Sequence, residues 1–251
     1  MAATLVYLTI GLPWLGALLV WLVGDRRPKL LHTLAVAFAV AAGISALILI
    51  RYTSRQIVID LPVGGIFGHF TFLPDGMGAF LAAVATVIGS LAVIFSVDYM
   101  KGEAQLARYY ALVLFFIGAM VGLVLTSSLL LVFVFWEITA LCSYALISFN
   151  NDDPKAVAGG IKALIITQLG GIGLLAGALL VYSYLGSYDI QALLSGAASL
   201  PPQVLAALAF GFLAAAAAKS AQFPFQTWLP DAMEAPTPIG QEGEVSEDAA
   251  D

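Results

Sequence analysis

Two residues in this sequence have the side chains and the surroundings to handle a proton inside a membrane. Glu137 stands in Leu131-Val-Phe-Val-Phe-Trp-Glu137-Ile-Thr-Ala-Leu, and Lys219 in Phe210-Gly-Phe-Leu-Ala-Ala-Ala-Ala-Ala-Lys219-Ser-Ala-Gln-Phe. An ionisable group at the centre of a membrane helix costs about 2.5–3.5 kcal/mol on the insertion scale, so it is a functional candidate by default. Glu137 lies roughly 13 Å into its apolar run at 1.5 Å per residue, close to the midplane of a bilayer.

Opposite charges on touching helices would compensate each other. The plain reading is a static buried ion pair, although such a pair is seldom more stabilising than apolar packing of equal volume. The functional reading is a switch. A carboxylate beside Lys219 favours the charged amine, and moving or protonating that carboxylate releases the lysine's proton. The two titrations are then coupled.

Pro224 bears on the same place. A proline inside a helix removes an amide donor and clashes with the carbonyl four residues back, here Ser220. The freed carbonyls need water or another protein group, which predicts a broken helix and a hydrated cavity beside Lys219. The milder alternative ends the span at 220–223 and starts a loop at Pro224. Ser220 and Lys219 do not form a serine–lysine dyad, because adjacent helical residues point about 100° apart.

These groups need helices to carry them. Hydrophobic residues make up 61% of the 251 positions and charged residues only 10%. Mean hydropathy is +0.97. A soluble domain carries about a quarter charged residues. The apolar residues come in blocks near the ~20 that cross the hydrocarbon as a helix, without the alternation of a membrane β-barrel. The blocks fall at about 3–24, 30–50, 77–97, 109–126, 128–149, 161–185 and 203–222. The expected fold is an all-α polytopic membrane protein of seven spans, the seventh broken near Pro224.

Basic residues set the expected orientation. Arg26, Arg27, Lys29, Lys101, Arg108, Lys155 and Lys162 fall on one side, and only Arg51 and Arg55 on the other. This places the N-terminus outside and the C-terminus in the cytoplasm. The connection 51–76, with Pro62, Pro74 and the strand-like 56–60, predicts an ordered outer loop with a short hairpin. Gly170, Gly171, Gly173 and Gly177 put small residues on one side of the sixth span, for close helix packing.

Other chemistries find no support. Five acids in the last ten residues account for most of the net charge of −6, and removing them leaves −1. That leaves no basic surface for nucleic acid. Cys142 is the only cysteine, so neither a disulfide nor a cysteine metal site is expected. His32 and His69 are too few and too scattered to suggest zinc.

Arg108-Tyr-Tyr-Ala-Leu, Gly118-Ala-Met-Val-Gly-Leu-Val-Leu and Phe133-Val-Phe-Trp-Glu137 resemble the fourth and fifth helices of antiporter-like subunits. Such subunits occur in respiratory complex I, Mrp sodium/proton antiporters and membrane-bound hydrogenases. Lys219-Ser-Ala-Gln-Phe-Pro-Phe-Gln-Thr-Trp-Leu-Pro-Asp-Ala-Met-Glu-Ala-Pro-Thr-Pro238 is the more specific half of the match. It is most similar to the large antiporter-like subunit of complex I and to the A-type subunit of Mrp antiporters. The resemblance covers about residues 60–238.

The resemblance implies that Glu137 and Lys219 are the pair gating proton movement. It implies that Lys162 is a sixth-helix lysine near the cytoplasmic side. It further implies partnership with other membrane subunits in a cell inner membrane, passage of protons or of protons and sodium, and no cofactor or metal in the subunit itself. Any enzymatic role would belong to a parent NADH:quinone oxidoreductase or hydrogenase.

The expected organisation is a two-helix region and outer loop at 1–76, a first antiporter-like unit at 77–238, and a disordered acidic tail at 239–251. Two departures stand out. Gln226 replaces a histidine common in the family, and the tail stands where the family continues into further helices. The chain therefore reads as lacking the second half of the path. The alternative is a non-transporting scaffold or assembly subunit.

Overall fold

In the computed structural model, residues 1–53 and 58–234 are described. Arg55, the first two residues of the expected strand at 56–60, and the tail at 239–251 lie outside them. Among the described residues, seven helices are long and apolar enough to cross a membrane. They are α1 (Ala2–Val23), α2 (Pro28–Leu49), α3 (Gly76–Tyr99), α4 (Leu106–Leu125), α5 (Leu129–Ile147), α6 (Pro154–Leu185) and α8 (Pro202–Lys219). The described residues also form the short α7 (Ile190–Gly196) and the single turn α9 (Trp228–Asp231).

Helices α1 to α4 close into a square, α1 packing on both α2 and α4 while α3 joins α2 to α4. From α4 a row extends through α5 and α6 to α8, so α6 stands between α5 and α8. Leu31, Tyr110, Leu114 and Val93 fill one end of the square. Val6, Leu49, Leu125 and Phe135 fill the other, where α5 joins.

The two ends of the bundle differ in chemistry. At one end, β1 (Ile59–Pro62) pairs antiparallel with β2 (His69–Phe72), with Ile59 opposite Phe72. This is the hairpin expected for the long connection. Its backbone is tied to the tight α4–α5 linker, where Ser127 N donates to Thr71 O at 3.0 Å. The linker in turn accepts at Ser127 O from Ile190 N at 2.8 Å. The hairpin, the linker and the start of α7 therefore form one hydrogen-bonded cap.

The opposite end holds the linkers after α1, α3 and α5, and with them the seven basic residues that the sequence groups together. The linkers are joined to one another there. Arg108 lies over the Phe149 ring at 5.4 Å, and Asp25 in the α1–α2 linker accepts from Ala107 N at 2.7 Å. Gln105, at the N-cap of α4, has a left-handed backbone and gives no side-chain cap. Asp25 supplies the missing acceptor from another part of the chain. Loss of such a cap costs about 1 kcal/mol. Asp25→Ala is expected to lower Tm by about 2–4 °C, measured by tryptophan fluorescence in detergent.

Two of the differences from the expected boundaries bear on the site. Helix α6 begins at Pro154, not 161, because Asp153 caps it by accepting from Lys155 N at 2.9 Å and proline is pre-set for the first helical position. Helix α8 ends at Lys219 itself, five positions before Pro224. The milder reading of Pro224 is the observed one: 220–227 is irregular, and helical structure resumes only at Trp228.

Candidate functional site

Glu137 lies in the middle of α5 and points toward α6. Its Oε2 accepts from the Gln168 amide. A methyl group on Gly171, one turn further along α6, would run into Glu137 Oε1. Glycine at 171 therefore leaves the volume that the carboxylate occupies. Gly170 and Gly173 face Ala218 and Gly211 of α8 instead. This corrects the expectation that the four glycines share one side. An advance of ~100° per residue turns Gly171 toward α5 while its neighbours meet α8.

Lys219 is the last residue of α8, and its amine does not reach the carboxylate. No Glu137–Lys219 ion pair occurs among the described residues, whose salt bridges are His69–Asp60 and Lys162–Asp231. Lys219 Nζ donates to Thr139 Oγ1 at 2.8 Å and sits 5.3 Å from the centroid of the Trp136 ring. Trp136 and Thr139 are three residues apart and share a face of α5. Glu137 and Thr139 are two apart and project about 160° from each other. The static ion pair weighed from the sequence is thus absent: the amine is bonded on the Thr139 face of α5 and the carboxylate on the face turned to α6.

The end of α8 is finished by protein groups. Gln222 N bonds to Ala217 O at 2.9 Å, and the Trp228 indole donates to Ala218 O at 3.0 Å. Trp228 also helps wall a small cavity with Lys219, Ala140, Ser143, Ala163 and Thr167. Its volume is about 30 Å³, room enough for water. A cavity therefore lies beside Lys219, with the Trp228 ring in its wall and the hydroxyl side chains of Ser143 and Thr167 along it.

Lys162 lies outside that cavity. Its amine bonds Asp231 of α9 at 2.9 Å, with the two side chains 42% and 44% exposed. A methyl on Gly159 would meet Asp231 O at 2.6 Å, so α9 is seated directly on α6. The pair clamps the turn that carries Trp228. A half-exposed pair contributes about 0–1 kcal/mol. Lys162→Ala is therefore expected to change Tm by less than about 4 °C, and Lys162→Asp with Asp231→Lys to restore the wild-type value.

Sequence reasoning missed Thr139, Gln168, Trp228 and Asp231. The signal for Thr139 was available in the helical spacing from Trp136. Gln168 gave none, because it reads as one polar residue in a long apolar run.

The bundle and its site define the class: a multi-pass helical membrane protein with a carboxylate and an amine, each held by polar partners, across three packed helices. Residues 126–241 match the family described as NADH:quinone oxidoreductase/Mrp antiporter, TM. Residues 61–110 match the NADH-Ubiquinone oxidoreductase (complex I), chain 5 N-terminus. The chain belongs to this family of complex I and Mrp antiporter-like membrane subunits.

Among its relatives are the Na(+)/H(+) antiporter subunits A1 of Staphylococcus aureus strains JH9 and Newman, each 39% identical over 173 residues. The match takes in 68% of this chain and 22% of each relative, so it spans about a fifth of their length. A chain in the Mrp complex of Dietzia sp. is similar at TM-score 0.79 and 28% identity, covering 95% of this chain and 26% of that one. A chain of an archaeal membrane-bound sulfane sulfur reductase shares the fold, at TM-score 0.80 and 24% identity over 92% of this chain and 47% of that one.

Proposed function

We propose that this chain is a proton-translocating, antiporter-like subunit that works with other membrane subunits in a plasma-membrane complex. The observation that carries the reading is Lys219 at the end of α8, its amine beside a water-sized cavity and bonded to Thr139 of α5, the helix that carries Glu137. In this reading residues 77–238 are the translocating unit, and 1–76 supports it. The seven basic residues gathered at one end support a cytoplasmic placement of that end and an outside N-terminus.

The residues would act in sequence. A charged Glu137 holds the proton on Lys219 by attraction. When Glu137 takes up a proton, that attraction is lost, and Lys219 passes its proton to a water in the cavity, flanked by Ser143 and Thr167. Discharge of Glu137 then lets Lys219 reload. Lys162, near the basic end, acts at the cytoplasmic mouth, where its bond to Asp231 holds the turn that carries Trp228. Sodium is the candidate counter-ion, because the Staphylococcus relatives are sodium/proton antiporter subunits by description.

The test is proton movement in everted vesicles from cells with and without this chain. A pH gradient is built first, and sodium is then added. Release of protons that depends on the chain supports the proposal, and release without sodium narrows it to protons alone. Equal traces from both membranes would refute translocation and leave a scaffold role.

A further inference from the structure

We propose that Thr139 is a positioning residue that holds Lys219 away from Glu137. The inference rests on reading Glu137 and Lys219 as the translocating pair, but its test does not depend on transport. Thr139 is fully buried. Its hydroxyl donates to Trp136 O at 2.8 Å, which turns the oxygen's remaining lone pairs outward. Lysine is a donor only, and its amine meets that oxygen at 2.8 Å.

The face of the Trp136 ring adds a second attraction for the cation on the same side of α5. On the other side Glu137 is bound by Gln168, and its Oε1 has no hydrogen-bond partner among the described residues. A carboxylate oxygen left without a partner attracts a cation on a neighbouring helix. The amine instead spends its bond on a hydroxyl two residues further along. Thr139 thereby keeps the pair open, so that each member can exchange its proton with a different neighbour.

A hydrophobic carbodiimide measures this directly. The reagent activates a carboxylate buried in the membrane, and a lysine amine in contact displaces the urea to form an amide with net loss of one water. The cross-linked peptide joining Glu137 to Lys219 is quantified by mass spectrometry in native membranes. The expected yield is low in the wild type and in Thr139→Ser, which keeps the hydroxyl. It is about tenfold higher in Thr139→Val, which keeps the shape and loses the oxygen, a factor typical of one hydrogen bond to a charged group.

Thr139→Ala deletes the same hydroxyl without the branched shape and stands in if the valine variant does not accumulate. Glu137→Gln fixes the background. Equal yields with and without the hydroxyl, a rise in Thr139→Ser equal to that in Thr139→Val, or no cross-link in any variant would each overturn the proposal. Loss of transport with the expected cross-link pattern intact would instead count against the translocation reading alone.

Discussion

Lys219→Arg is expected to stop proton movement as fully as Lys219→Ala. Both variants should fall about a hundredfold, the scale of losing one positioned proton-transfer group. Arginine preserves the charge, the long stem and the attraction to the Trp136 ring, so a residue needed only as a cation would survive the change. It does not release its proton in proteins. If Lys219 works by giving up and regaining a proton at the cavity lined by Ser143, Thr167 and Trp228, the two variants fail alike. Flux is measured in everted vesicles and divided by the amount of assembled chain. Wild-type flux in Lys219→Arg would make Lys219 a fixed charge.

The second large effect is structural. Gly173 and Gly211 meet at the crossing of α6 and α8, where a methyl on Gly173 would stand 2.7 Å from Gly211 O. The obstacle is backbone, so no side chain can swing aside and the helices must part. Without water to drive association, membrane helices are held by this kind of close approach. Gly173→Val is expected to cost about 3 kcal/mol, the upper end for overpacking, and to lower Tm by about 6–12 °C. Gly173→Ala should fall between that value and the wild type. Gly76→Ala, where nothing lies within 4 Å of the added carbon, should be close to neutral. Equal Tm values for Gly173→Val and Gly76→Ala would show that the crossing is not a close contact.

Much of the fold was legible because membrane spans are written in length and apolarity, and both are counted directly. The hairpin was legible too, from its prolines, glycines and strand-like residues. The start of α6 was hidden because Lys155, Gly159, Gly160 and Lys162 dilute its first two turns. Only the Asp153–Pro154 pair marked the true boundary. Helix α7 was missed for its brevity, although Asp189 caps it by accepting from Gln191 N at 2.9 Å.

The site was legible as a list of residues and not as an arrangement. Glu137 and Lys219 stood out because charge is expensive in lipid. Whether they touch depends on where each points, and the sequence does not show which neighbour lies on which face. Two facts had to come from the structure: α6 stands between α5 and α8, and Thr139 rather than Glu137 faces the end of α8. Lys162 illustrates the same limit. Its partner Asp231 is 69 positions away, at the end of a segment whose path no periodicity predicts.

The most direct test of the account is proton flux in Glu137→Gln, normalised to assembled chain. Glutamine fills the same volume beside Gly171 and retains an oxygen for the Gln168 amide, so only the ability to take up and release a proton is removed. The account predicts that Glu137→Gln assembles at wild-type levels and that its flux falls to that of membranes lacking the chain. Wild-type flux from an assembled Glu137→Gln protein would contradict it.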